Sequence, residues 1–258
     1  MEGFPKVIAL ELVPNDVEDL KENIAFATKN FPNVTCLNIP DMLSKSLKPW
    51  AAAKVLLPLG FNVIPHIRTR DYTLDELKAI VAELMPLGLK SVLVLTGDPP
   101  KDGKDKYERP VQVLEAVPFL KKEFTGLKVY CGLDPYRQSF RAELEYCEQK
   151  LKAGCDGFFS QGFFSVHLMR EWIDQLKGFK TEFWVGLSPV TTESFKGYWV
   201  KTNKATFPHD FEVTLEYNAR TQREMLRVIT ENGCNAYLMP VTVNTKTYLP
   251  ALFDTSAQ

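Results

Sequence analysis

Short apolar runs alternate with amphipathic helical segments along the whole chain, and this alternation limits the fold more than any other feature. Residues 7–12, 34–39, 62–67, 91–96, 127–133, 157–161, 182–188 and 235–240 read as strands. Several are near-continuous apolar runs, as expected for strands buried on both faces of a parallel sheet by crossover helices. The helices between them carry their own punctuation. Thr73 and Glu76 form a capping box ahead of Leu74, Leu77, Ile80, Val81 and Leu84, which keep helical spacing up to Gly88. Phe140, Leu144, Cys147 and Leu151 share the face of a later helix that ends at Gly154. Eight such units in 258 residues, with no Pro/Gly/Ser-rich linker, predict one domain over 1–258, an eight-stranded parallel β/α (TIM) barrel. The rival is a doubly wound open sheet, but Glu11-Leu12-Val13-Pro14 follows the first strand where such a sheet places GxGxxG.

Composition narrows the partners. With 31 basic and 32 acidic residues, the chain has no electrostatic footprint for nucleic acid or an anionic membrane. No window is apolar enough to span a bilayer and the start lacks a signal-peptide pattern, so a cytoplasmic protein is expected. Its five cysteines, Cys36, Cys131, Cys147, Cys155 and Cys234, include no CxxC pair and read as buried thiols in a reducing compartment.

A barrel of this kind builds its active site at the carboxyl ends of the strands, so the polar residues closing each strand are the candidates. They are Glu11, His66 with Arg68, Asp98, Asp134, Gln161 and Ser188. Each has a structural alternative. Glu11 could pair with a cation at the rim, His66 could be a core histidine, Asp98 could bond its own turn, and Gln161 could satisfy a strand-end carbonyl. Phe158, Phe159, Phe163 and Phe164 read as core before ligand platform. The three histidines show no metal-ligand spacing, no lysine closes a strand, and neither GxSxG nor a P-loop is present. Acid/base work on a neutral or anionic organic ligand remains.

Four spaced motifs carry a family resemblance. Glu11 in ELVP, the segment from PHIRTRD to LTGDPP (residues 65–100), KAGCDGFFSQGFF (152–164) and VGLSPV (185–190) resemble methylenetetrahydrofolate reductase in collinear order. The resemblance implies reduction of methylenetetrahydrofolate to methyltetrahydrofolate by hydride from NADH or NADPH. Glu11 matches the general acid that opens the imidazolidine ring. Asp98 matches the aspartate that contacts the pterin and stabilises the iminium, Gln161 a folate-binding glutamine, and Phe195 the stacking phenylalanine after the GLSPV turn, across two extra residues. A folate substrate is implied, with self-association left open, and the regulatory domain of longer relatives is expected to be absent. The competing reading is a pterin-binding barrel for methyl transfer without redox chemistry. Glu11 speaks against it, because a methyl carrier has no ring to open.

The family's FAD site corresponds to His66, Thr96, Gly97, Asp98, Tyr107 and Lys150. Thr96 stands where an arginine is usual, Gln149 replaces another basic residue, and Leu37-Asn38-Ile39 replaces Thr-Tyr-Gly. A diphosphate with fewer basic partners binds less tightly. Either FAD is held weakly or hydride passes directly from the nicotinamide to the iminium, and the flavin-free form is preferred.

Overall fold

The computed structural model describes residues 5–42, 45–99 and 103–254. Each apolar run forms a strand: β1 Ile8–Glu11, β2 Val34–Ile39, β3 Asn62–Arg68, β4 Ser91–Leu95, β5 Lys128–Leu133, β6 Gly157–Gly162, β7 Glu182–Leu187 and β8 Asn235–Leu238. They pair in parallel in chain order and β8 closes on β1, so a barrel forms as expected and the sheet has no edge. All strands but β2 differ from the expected bounds by one or two residues: β3 and β6 run one residue further, β5 starts one later, and β1, β4, β7 and β8 stop early because their last residues turn out of the ladder. β4, for instance, stops before Thr96, whose carbonyl accepts from the Arg70 amide at 3.3 Å.

The crossover helices are α1 Val17–Asn30, α2 Pro49–Leu56, α3 Leu74–Leu84, α4 Val113–Glu123, α5 Phe140–Lys152 and α6 Val166–Leu176. Two helices join β7 to β8, α7 Glu193–Asn203 and α8 Leu215–Glu231, and α9 Thr245–Phe253 follows β8. The capping box at Thr73 and Glu76 is formed, and α5 stops at Lys152, just before Gly154. Phe140 is 37% exposed but its ring lies 4.4 Å from that of Trp172. Among the described residues, no helix is long and apolar enough to cross a membrane.

Side-chain alternation divides the apolar residues into shells. One set fills the gap between strands and helices, including Leu10, Leu37, Val94, Phe158 and Val185. The opposite faces fill the barrel interior with Ala9, Cys36, Ile64, Leu93, Tyr130, Phe159, Trp184 and Tyr237, one per strand. Phe159 stacks on Trp184 at 4.8 Å and meets the edge of Tyr237 at 5.1 Å. Each fully buried side chain of this size stabilises the fold by about 1.5–3 kcal/mol, and together they plug the interior. A third cluster, Phe164, Val190, Trp199, Phe211 and Tyr217, anchors α7 and residues 204–214 over the carboxyl end of the barrel. The four phenylalanines expected in the core are all buried there or in the shells below. Four of the five cysteines are buried, Cys234 is half-buried, and all five are free thiols.

Candidate active site

Above the plug, the carboxyl ends of the strands surround a cavity of about 310 Å³ floored by Leu93, Phe159 and Tyr237. The fold brings Glu11, His66, Thr96, Gly97, Asp98, Lys150, Gln161 and Phe195 together on its lining. Tyr107 lies elsewhere: its hydroxyl donates to Glu76, with the two carboxylate oxygens at 2.6 and 2.8 Å, at the start of α3.

Glu11 ends β1 with its side chain on the inner face, two residues beyond Ala9. Ala9 is in register with Tyr237 of β8, and the long phenol reaches up to donate its proton to the Glu11 carboxylate. No cation pairs with this carboxyl among the described residues. Burial therefore dominates, and it pushes the Glu11 pKa up to about 7 while the Tyr237 hydrogen bond pulls it partly back. The group is thus poised to hold or release a proton near neutral pH. Replacing Tyr237 by Phe removes the bond that favours the carboxylate, so the Glu11 pKa should rise above 7. The protonated-carboxyl stretch in infrared titration reads this directly, and an unchanged midpoint would mean that the bond does not act on Glu11.

His66 sits two strands away, buried, with its Nε2 3.1 Å from the Asn38 amide nitrogen. Burial lowers its pKa to about 3, so it is neutral at physiological pH. The ring both belongs to the buried inner layer and lines the cavity.

Asp98 is exposed at the cavity rim, held through its backbone. Arg68, from β3, donates from Nη2 to the Asp98 carbonyl at 2.8 Å and from Nε to the Asp71 carboxylate at 2.6 Å. Arg70 donates to the Gly97 carbonyl at 3.2 Å. Gly97 has φ +82°, and a Cβ there would stand 2.8 Å from Arg68 Nε. Only glycine allows both the left-handed turn and the guanidinium packed against it.

Gln161 owes its position to an irregularity. Phe159 pairs with Trp184 and Gly162 with Gly186, so β6 uses three steps where β7 uses two. Ser160 fills the defect by accepting from the Gly186 amide at 2.8 Å. A Cβ on Gly186 would meet the carbonyl oxygens of Ser160 and Gln161 at 2.5 and 2.7 Å, so this close approach requires glycine. Such bulges re-aim a side chain at a barrel rim. Phe195, on the first turn of α7, stacks 6.0 Å from Tyr198 with rings 6° from parallel, and both line the cavity as an aromatic wall.

These residues do not fit a tightly held flavin diphosphate. Arg68 fills the space beside Gly97 and both of its bonds go to protein. Lys150 is buried, donates to the Gly132 carbonyl at 2.7 Å and faces Glu143 at 3.7 Å. Breaking a buried pair costs about 3–5 kcal/mol, so this lysine is committed to the fold. Thr96 brings no charge, Tyr107 is engaged by Glu76, and exposed Arg137 adds one cation to the lining.

Tyr237 escaped the sequence reading, although its inward parity on β8 was legible once β8 was known to close on β1. Arg68 stood out there only as a polar strand-end residue, and its grip on the Gly97-Asp98 turn came from the β3–β4 pairing. Glu143 and Tyr146 reach the cavity from α5, and no spacing in the sequence distinguishes them from solvent-facing helix positions.

The family model for methylenetetrahydrofolate reductase matches residues 17–237. The 5,10-methylenetetrahydrofolate reductase of Salmonella typhimurium is 28% identical over 191 residues, covering 67% of this chain and 63% of that protein. Methylenetetrahydrofolate reductase 2 of Saccharomyces cerevisiae is 22% identical over 188 residues, covering 67% and 31%. The chain thus spans less than two thirds of the length of these curated relatives. Among solved structures, a Rhizomucor miehei β-1,3-glucanosyltransferase superposes with a TM-score of 0.59 at 12% identity, covering 91% of this chain and 86% of that one, a likeness of fold alone.

Proposed function

The chain belongs to the methylenetetrahydrofolate reductase family, and on that premise we propose that it reduces methylenetetrahydrofolate to methyltetrahydrofolate with Glu11 as general acid. The observation that carries this reading is the buried Glu11 carboxyl at the cavity, held by Tyr237 with its pKa near 7. Opening the folate's imidazolidine ring breaks a carbon–nitrogen bond, and the departing nitrogen needs a proton at that moment. A carboxyl with its pKa near 7 keeps about half its population protonated at neutral pH and can supply it, whereas one with an ordinary pKa would be ionised.

Ring opening leaves a cationic iminium carbon. Asp98, fixed at the rim by the Arg68 and Arg70 bonds to its turn, stabilises that charge without reorganising. Gln161 supplies an amide to the pterin, and the Phe195–Tyr198 wall offers a flat apolar face. Hydride from a reduced nicotinamide then converts the iminium to a methyl group. The balance is one NADH or NADPH and one solvent proton consumed per methyl formed.

The poor fit of the residues to a flavin diphosphate supports direct transfer from the nicotinamide. A co-substrate that binds and leaves each cycle needs less affinity than a resident cofactor. An anaerobic assay of NADH and NADPH oxidation with methylenetetrahydrofolate, with and without added FAD, tests both parts. Turnover without FAD is expected. Turnover only with FAD, or a stoichiometric flavin band that survives dialysis, overturns the flavin-free form, and no oxidation under any condition overturns the reductase.

A further inference from the structure

Glu11 stands at the junction of two cavities. Besides the one already described, it lines a second, of about 330 Å³, between the segment after β1 and the segment after β8. The polar residues of that cavity include Asn15, Asn23, Thr242 and Asn244. A hydrogen-bonded chain holds the lining residues Asn15 and Asn23. Lys45 Nζ donates to Asn15 Oδ1 at 2.7 Å, the Asn15 amide nitrogens donate to one Asp19 carboxylate oxygen at 2.9 and 3.0 Å, and Asn23 donates to the other at 2.8 Å. A polar cavity of this size accommodates water.

The proposed reaction takes up one proton per turnover, and Glu11 must be reloaded each time. On the folate side, His66 and Tyr237 are poor sources of a fresh proton. His66 is neutral with its pKa lowered to about 3, and Tyr237 already directs its proton at the Glu11 carboxylate. Folate and nucleotide bound in the first cavity would cover Glu11 from that side and leave the second cavity as its contact with solvent.

We propose that the second cavity is the proton-supply route to Glu11, carrying a solvent proton to the carboxylate while folate and nucleotide still occupy the first. The step is relay of a proton from hydronium or a buffer acid in bulk solvent, through water in the second cavity, to the Glu11 carboxylate, with the conjugate base left in solvent. This rests on Glu11 being the general acid.

Thr242 is exposed at the mouth of the cavity, so Thr242→Phe should close it. At a pH below about 7 Glu11 starts protonated. The first equivalent of NADH should then be oxidised at the wild-type rate, followed by later turnovers slowed by about 10²-fold or more, the scale typical of lost proton transfer. Thr242→Ser should keep the wild-type rate in both phases. Asn15→Leu, which removes polarity from the wall, should give the same split as Thr242→Phe and covers the case in which that variant does not fold. Equal losses in first and later turnovers, or no loss in either blocking variant, overturn the route. Wild-type protein that oxidises no NADH with methylenetetrahydrofolate overturns the reductase reading itself and the route with it.

Discussion

Glu11→Gln is expected to lower turnover with methylenetetrahydrofolate by about 10²–10⁴-fold, the usual contribution of a positioned acid, while folate affinity changes little. Glutamine keeps the shape and can still accept from Tyr237, so the loss isolates the proton. For the wild type, kcat should fall as pH rises through about 7, where Glu11 loses that proton. A variant with full turnover would remove Glu11 from the acid role.

The same substitution should stabilise the fold, and the direction follows from linkage. The Glu11 pKa rises from an ordinary 4.5 to about 7 on folding, so the folded chain holds this proton more tightly than the unfolded one. Below 4.5 both states are protonated and nothing is lost. Between 4.5 and 7 the wild type is progressively penalised for its buried carboxylate, reaching about 3 kcal/mol above that window. Glutamine avoids this cost, so its advantage in urea unfolding should appear at pH 8 and shrink towards zero near pH 4.5. An advantage independent of pH would show that the carboxyl is not desolvated.

Asp98→Asn is expected to slow reduction by about 10²-fold or more, the scale set by removing one preorganised electrostatic partner of a developing charge. The backbone bonds from Arg68 and Arg70 remain in this variant, so the turn should keep its shape. The loss should therefore fall on kcat more than on the KM for the nucleotide. Equal losses in folate reduction and nucleotide binding would make Asp98 a structural turn residue.

Most of the candidate residues lining the cavity were legible because a barrel gathers the carboxyl ends of its strands at one mouth. Glu11, His66, Asp98 and Gln161 each lie at or near the carboxyl end of a strand, and once eight strands are recognised their shared end follows. Two candidates behaved differently. Tyr107 lies in the long β4–α4 connection, where residue spacing carries no geometry, and Glu76 draws it to α3. Lys150 reaches the lining, but Glu143 and the Gly132 carbonyl hold it for the fold. The replacement of an arginine by Thr96 pointed to a weakened flavin site, and the structure adds that the nearby Arg68 is spent on protein groups.

The sequence by itself determined the eight strands, their parallel order and the strand-end set, because period-two and helical patterning are local properties written into neighbouring residues. Only the tertiary structure decided which side chains meet across the closure of the barrel. Tyr237 and Glu11 are 226 residues apart and touch because β8 pairs with β1. Desolvation at the closed barrel mouth, which no local pattern records, then raises the Glu11 pKa to about 7.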